Sequence, residues 1–191
     1  GRELVDLTIR HGLATFEILG HLNRMQALSA LGQFDAAELH AETVDRLAGR
    51  HERPLAAVFT TWFRAMRTAA TGAGAAHCEK LYEAAAVNLS DAGMPGLADG
   101  ILPLAILALR VWRGLPAIFD PTTQWGPYEP WARPHLLIAQ GQTNEAAKAV
   151  EALPDPPEDL LSEALWCMAA AAATAVGDRR AKERARAALL P

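Results

Sequence analysis

Cysteine is nearly absent from this chain. Cys78 and Cys167 are the only two, far apart and in helical contexts, so neither a disulfide framework nor a Cys-x-x-Cys metal site can be built from them. A reducing cytoplasm is the expected compartment. Long apolar runs are also missing. Those at 101–109 and 165–177 are too short to span a bilayer, and the first is broken by Pro103 and followed by Arg110. The opening GRELVDLTIRHG lacks the apolar core of a signal peptide; it starts abruptly in helical-looking sequence, so the chain is expected to be a fragment of a longer protein. A large excess of one charge is absent too. The formal net charge is −4, which gives no electrostatic footprint for nucleic acid or an anionic membrane. No segment sustains period-two alternation, so no sheet is expected.

Catalytic motifs are equally scarce. There is no G-x-x-x-x-G-K-[ST] phosphate loop, and GAGAAHCEK at 72–80 shares only its glycines with one. H-E-x-x-H and G-x-S-x-G are missing. Glu38 and Glu42 lie four apart with His40 between them on another helix face, and the adjacent His77 and Cys78 diverge on a helix. No enzymatic activity, metal or cofactor is therefore expected.

What the chain does have is alanine, leucine and helical periodicity. Hydrophobic residues make up 51% and charged residues 21%, enough to bury a core and too apolar for disorder. Phe59, Trp62, Phe63, Met66 and Ala70 form one i, i+3, i+4, i+7 stripe, and Ile101, Leu104, Ala105, Ala108 and Trp112 form another. Breaks punctuate the helices. Asp35 with Glu38 fits a capping box, Pro54 and Pro95 suit first turns, and Thr143 suits an N-cap. Asp155-Pro156-Pro157-Glu158 reads as a helix start, and Gly177-Asp178 as the end of one helix and the cap of the next. The breaks recur. GQFDAAELHAE at 32–42 aligns with GQTNEAAKAVE at 141–151, and in both an alanine falls five residues after the glycine. The step from Gly141 to Gly177 is 36 residues, and that from Gly32 to Gly141 is 109, about three times as long. A helix–turn–helix unit of roughly 34 residues with small residues where the helices cross is the tetratricopeptide pattern. The expectation is one all-α domain over 1–191: a right-handed α-solenoid of about five tetratricopeptide-like pairs at 12–50, 54–92, 96–124, 128–153 and 157–190. The third is irregular, with a short second helix.

The strings DAGMPGLADGILPLAILALRVWRG (91–114), WGPYEPWARP (125–134) and LPDPPEDLLSEALWCMAAAAATAVGDRRAKERARAALLP (153–191) resemble the C-terminal tetratricopeptide-like domain of large regulators of the Streptomyces antibiotic regulatory protein class. Large LuxR-type regulators of actinobacteria end in similar repeats. The resemblance covers essentially the whole chain. It implies a parent with a winged-helix DNA-binding domain, a bacterial transcriptional activation domain and an ATP-hydrolysing switch domain, none of which is in this polypeptide. The implied role is regulatory: control of the parent's other domains through protein–protein contacts in a pathway-specific activator of antibiotic biosynthesis.

Two groups of residues are candidates for a binding role. Aromatics are only 6% of the chain, yet Trp125, Tyr128 and Trp131 crowd into WGPYEPWARP among three prolines. With Arg133 and His135 they could line a pocket for a pathway metabolite, or they could plug a sharp corner between repeats. Arg64 and Arg67 flank the Trp62 stripe, and Arg110 and Arg113 lie opposite and beside the Trp112 stripe. In a concave groove these arginines could grip carboxylates or phosphates in bidentate fashion; otherwise they belong to a solvated polar face, with Trp62 and Trp112 in the core. Trp166 lies off the stripe Leu161, Ala164, Leu165, Met168, Ala172 and suits a contact with a neighbouring pair. The basic residues Arg179, Arg180, Lys182, Arg184 and Arg186 spread around their helix, the pattern of a solvated last helix rather than a nucleic-acid face. Self-association is the alternative to ligand sensing: a solenoid that docks or forms a homo-oligomer without a ligand site.

Overall fold

The recurring Gly-Gln pairs mark two turns of the same geometry. In a computed structural model, which describes residues 13–87, 89 and 99–190, helix α1 (Ala14–Ala30) is followed by α2 (Phe34–Arg50), and α6 (Glu129–Ala139) by α7 (Thr143–Glu151). Gly32 and Gly141 sit at φ +69° and +75°, in the left-handed region that closes a helix most easily with glycine. The next amide reaches back five residues in both turns, from Gln33 to the carbonyl of Leu28 and from Gln142 to that of Leu137, each at 2.9 Å. The alanines five residues after each glycine, Ala37 and Ala146, are both fully buried. In both copies a small side chain is thus buried one turn into the following helix.

All the regular structure among the described residues is helical. The chain divides into two compact units, 1–95 and 96–191. In the first, α1, α2, α3 (Pro54–Ala70) and α4 (Ala75–Val87) pack in sequence, each on the next. Ile18, Leu22 and Met25 of α1 join Ala37, Ala41, Val44 and Leu47 of α2, with Ala56 and Phe63 of α3 closing the cluster. Helix α3 is covered on two sides. Phe59, Phe63 and Met66 belong to the α2 side, while the Trp62 ring lies against Tyr82 of α4 at 5.3 Å. Burial pushes the Tyr82 hydroxyl up to about 12. Ala70 at the end of the expected stripe is exposed.

In the second unit, α5 (Ile101–Trp112), a 3-10 turn (Gly126–Tyr128), α6, α7, α8 (Ser162–Val176) and α9 (Arg179–Leu189) gather around the alanine-rich α8. Helices α5, α6, α7 and α9 all touch α8. Leu165, Met168, Ala169, Ala172 and Ala173 are its buried residues.

Several local expectations are corrected. Asp35 and Glu38 do not form a capping box, because α2 starts at Phe34 with Gln33 before it and no side-chain cap. Thr143 is inside α7, after an uncapped Gln142. Asp155-Pro156-Pro157-Glu158 starts no helix: α8 begins at Ser162, after a turn in which the Asp159 carboxylate accepts from the Leu161 amide at 2.8 Å. The third pair has no second helix between Arg113 and Trp125; a loop runs there instead. Ala164 is exposed, and so is Trp112, at 62%; α5 instead buries Leu104, Ile106, Leu107 and Leu109. Gly177-Asp178 behaves as read. Gly177 takes φ +78° and the Asp178 carboxylate caps α9 by accepting from the Ala181 amide at 2.9 Å. The first-turn role of Pro95, the N-terminal reading and residues 91–98 of the string at 91–114 lie outside the described residues.

Candidate functional site

The prolines and glycines of the 125–134 stretch act on the backbone first. Gly126 has φ +51°, and a Cβ on it would stand 2.5 Å from the Asp99 carbonyl oxygen. Across the contact, Gly100 has φ +88°, and a Cβ there would fall onto the Trp125 carbonyl. Two backbone segments without side chains thus interlock. Pro127 sits in the 3-10 turn and Pro130 in the first turn of α6, where a missing amide proton costs nothing. Pro134 lies inside α6, where it removes one helical hydrogen bond; its ring is fully buried.

The aromatics fill the space this corner creates. Trp125, Tyr128, Trp131 and His135 are 8%, 7%, 6% and 6% exposed. Trp125 packs edge-on against Phe119 at 4.9 Å within a cluster holding Leu107, Ala117, Ala132 and Met168. Tyr128 and Trp131 join Leu104, Leu153, Leu165 and Ala169, with Trp166 packed alongside. His135 Nε2–H donates to the Met168 carbonyl at 3.0 Å, which fixes the tautomer, and burial holds the imidazole below its ordinary pKa. Arg133 points outward and makes a loose 4.0 Å pair with Glu129. Four of the five residues expected around a pocket are therefore packed side chains. The one open polar demand is the Trp131 indole N–H, buried without an acceptor.

The arginines of α3 are drawn into a network of this chain's own acids. Arg64 Nε donates to Glu38 and its Nη1 to Asp45, both at 2.7 Å. Arg67 reaches Glu38 at 2.9 Å and Asp35 at 2.8 Å. Thr60, 1% exposed, donates to the other Asp45 oxygen at 2.6 Å. Burial pulls the Arg64 pKa down, but the hydrogen bonds to Glu38 and Asp45 outweigh it and the net shift is upward. Two grooves flank the network. One of about 650 Å³ is lined by Asp45, Glu52, Arg53, Thr60, Thr61 and Arg64 among others; one of about 570 Å³ is lined by Glu38, Arg64, Arg67, Thr68 and Thr71. The capping-box expectation for Asp35 and Glu38 missed this set, although 35, 38 and 45 are spaced i, i+3, i+10, one face of a helix.

Arg110 and Arg113 do other work. Arg110 lies over the Phe119 ring at 4.7 Å and donates to the Ile118 carbonyl, tying the loop to α5. Arg113 covers the exposed Trp112 ring at 5.1 Å. In α9, Arg179 pairs with Glu183, and Arg184 reaches back to Asp155 and to the Leu153 carbonyl while covering Trp166 at 5.3 Å. Among the described residues, no group of three His, Cys, Asp or Glu is placed to hold a metal, and no helix is long and apolar enough to cross a membrane.

No protein-family model, curated protein or solved structure matches the chain.

Proposed function

We propose that the chain is a helix-hairpin interaction module whose pairs stack as a right-handed tetratricopeptide-like α-solenoid, working in the cytoplasm as a non-enzymatic regulatory domain. The observation that carries this reading is the duplicated Gly-Gln turn: the same backbone path, followed in both copies by an alanine buried to zero exposure. Repeats of this kind expose long faces to partner proteins. The residue strings at 91–114, 125–134 and 153–191 support a parent of the large antibiotic regulatory protein class, a pathway-specific activator of antibiotic biosynthesis, whose other domains would be the partners. A signal would act by binding one of two arrangements of those domains more tightly than the other. The partner-facing candidates are Arg64 and Arg67 with their grooves in the first unit, and Arg110, Arg113 and Arg133 in the second.

A small-molecule signal is the second reading, favoured by the Trp131 indole N–H that lacks an acceptor. A thermal-shift titration with secondary metabolites, pathway intermediates, ATP and ADP separates the two, since any ligand of the folded state raises the melting temperature with ligand excess over Kd. A dose-dependent rise lost in Trp131→Phe supports the sensor. No rise with any compound, together with concentration-dependent mass by light scattering, supports docking and self-association. ATP turnover by the purified chain would overturn both.

A further inference from the structure

The first hairpin carries a titratable contact that the interaction role does not use. His21 on α1 and His40 on α2 meet ring to ring, with centroids 4.9 Å apart and the two Nδ1 atoms at 2.7 Å. A nitrogen–nitrogen contact this short requires one ring to donate and the other to accept. The donor carries its proton on Nδ1 and the acceptor carries its own on Nε2. One further proton fits on the donor's Nε2 and leaves the contact intact. A second must go to the accepting Nδ1, which puts two N–H groups face to face and two cations in contact. His21 is buried and His40 half-buried, so a second cation would be only partly screened by solvent.

We propose that His21 and His40 form a proton-operated clasp between α1 and α2, closed while at least one ring is neutral and released when both are cationic. The surrounding charges act in both directions. Glu17 on α1 favours a cation at His21, whereas Arg24 on α1 and Arg46 on α2 disfavour it, and Arg24 also disfavours one at His40. The charged groups that α3 turns toward α2, Arg64 and Arg67, are engaged by Asp35, Glu38 and Asp45. Burial is the largest influence on both rings and lowers both pKa values. Among the described residues no third His, Cys, Asp or Glu completes a metal set here.

The sign follows from linkage. The unfolded chain takes up both protons as pH falls through about 6.5, while the closed clasp refuses the second. Its stabilisation is complete above that pH and is lost below it, with the unfolding constant rising about tenfold per pH unit for the proton withheld. The test is urea unfolding of the whole chain from pH 7.5 to 5.0 for wild type and His40→Gln, with an NMR titration of the histidine Cε1–H signals in the wild type. The glutamine amide oxygen can accept from a protonated His21, so the variant should lose the acid sensitivity: between pH 6.5 and 5.0 the wild-type unfolding constant should rise at least roughly tenfold more than that of the variant. His135 contributes equally to both proteins and cancels. In the NMR titration His21 and His40 should share a two-step curve with one step far below the ordinary range. Equal pH slopes in the two proteins, or independent single steps near the ordinary value for both rings, would overturn the clasp. The wild-type titration decides the matter even where the variant does not fold.

Discussion

Replacing Trp125 by alanine tests whether the 125–134 corner is packing or a site. The side chain is 8% exposed and lies edge-on to Phe119. A tryptophan buries about 150–250 Å², which at about 25 cal/mol per Å² is roughly 4–6 kcal/mol as an upper bound. Truncations of large buried aromatics cost about 3–5 kcal/mol, and the lost edge contact with Phe119 is included in that range. The interlocked backbone at Gly100 and Gly126 prevents the corner from collapsing into the cavity, which places the expected loss in the upper half. The exposed Trp112 is the internal control: Trp112→Ala should change stability by less than about 0.5 kcal/mol apart from its contact with Arg113. Four of the five tryptophans lie in residues 96–191, so urea unfolding followed by intrinsic fluorescence reports mainly on that unit. A cost below about 1 kcal/mol for Trp125→Ala would refute the packing argument.

Other substitutions probe the backbone and the ion network. Gly100→Ala should cost more than about 2 kcal/mol, since it combines a left-handed φ with a collision against backbone that cannot swing away; thermal denaturation reads it. Glu52 has φ +50° at the turn position that Gly32, Gly72 and Gly141 fill elsewhere, so Glu52→Gly should stabilise by about 0.5–1 kcal/mol after the extra freedom of the unfolded glycine is subtracted. Unchanged or lower stability in urea would show that the Glu52 side chain makes a compensating contact. Arg64→Ala should cost about 1–2 kcal/mol, because the guanidinium is partly exposed but leaves Glu38 with only Arg67. The loss should shrink in high salt, and Arg64→Lys should recover little of it, as one ammonium cannot span Glu38 and Asp45 as the fork does.

The helices and their turns were legible because periodicity and glycine placement act locally. Gly32 and Gly141 announced their turns through the left-handed conformation that only glycine takes cheaply, and Ala37 and Ala146 through the spacing. The failures have physical causes too. Asp35 and Glu38 have capping-box spacing, but cross-helix pairing with Arg67 and Arg64 claimed both side chains. The Asp155-Pro-Pro-Glu158 signal was local, whereas in the fold these residues are irregular and Arg184 holds Asp155 and the Leu153 carbonyl. Trp112 was read as core because apolarity on α5 is nearly continuous; a helix apolar all round gives little phase information, and Leu107 rather than Trp112 marks its buried side. The His21–His40 contact spans two helices and has no short-range pattern.

The network on α2 and α3 also decides how an anionic partner could engage the arginines. Arg64 and Arg67 are not open cations waiting for a carboxylate, because each is already forked to this chain's acids. Any incoming anion must replace one of them. The partners are unequal: the Asp35 side chain is 98% exposed, whereas that of Glu38 is 18% exposed, and Asp45 is held by Thr60 from the buried side. Exchange is therefore cheapest at Arg67, where Asp35 can return to water at little cost. It is costliest at Glu38, which would be left half-buried and unpaired. Asp35→Asn should accordingly leave stability within about 0.5 kcal/mol of wild type while freeing one edge of the Arg67 fork, and Glu38→Gln should destabilise the α2–α3 packing. If an anionic peptide or metabolite binds this face, Asp35→Asn should tighten it in a calorimetric titration. Unchanged affinity would mean that the ligand does not use Arg67.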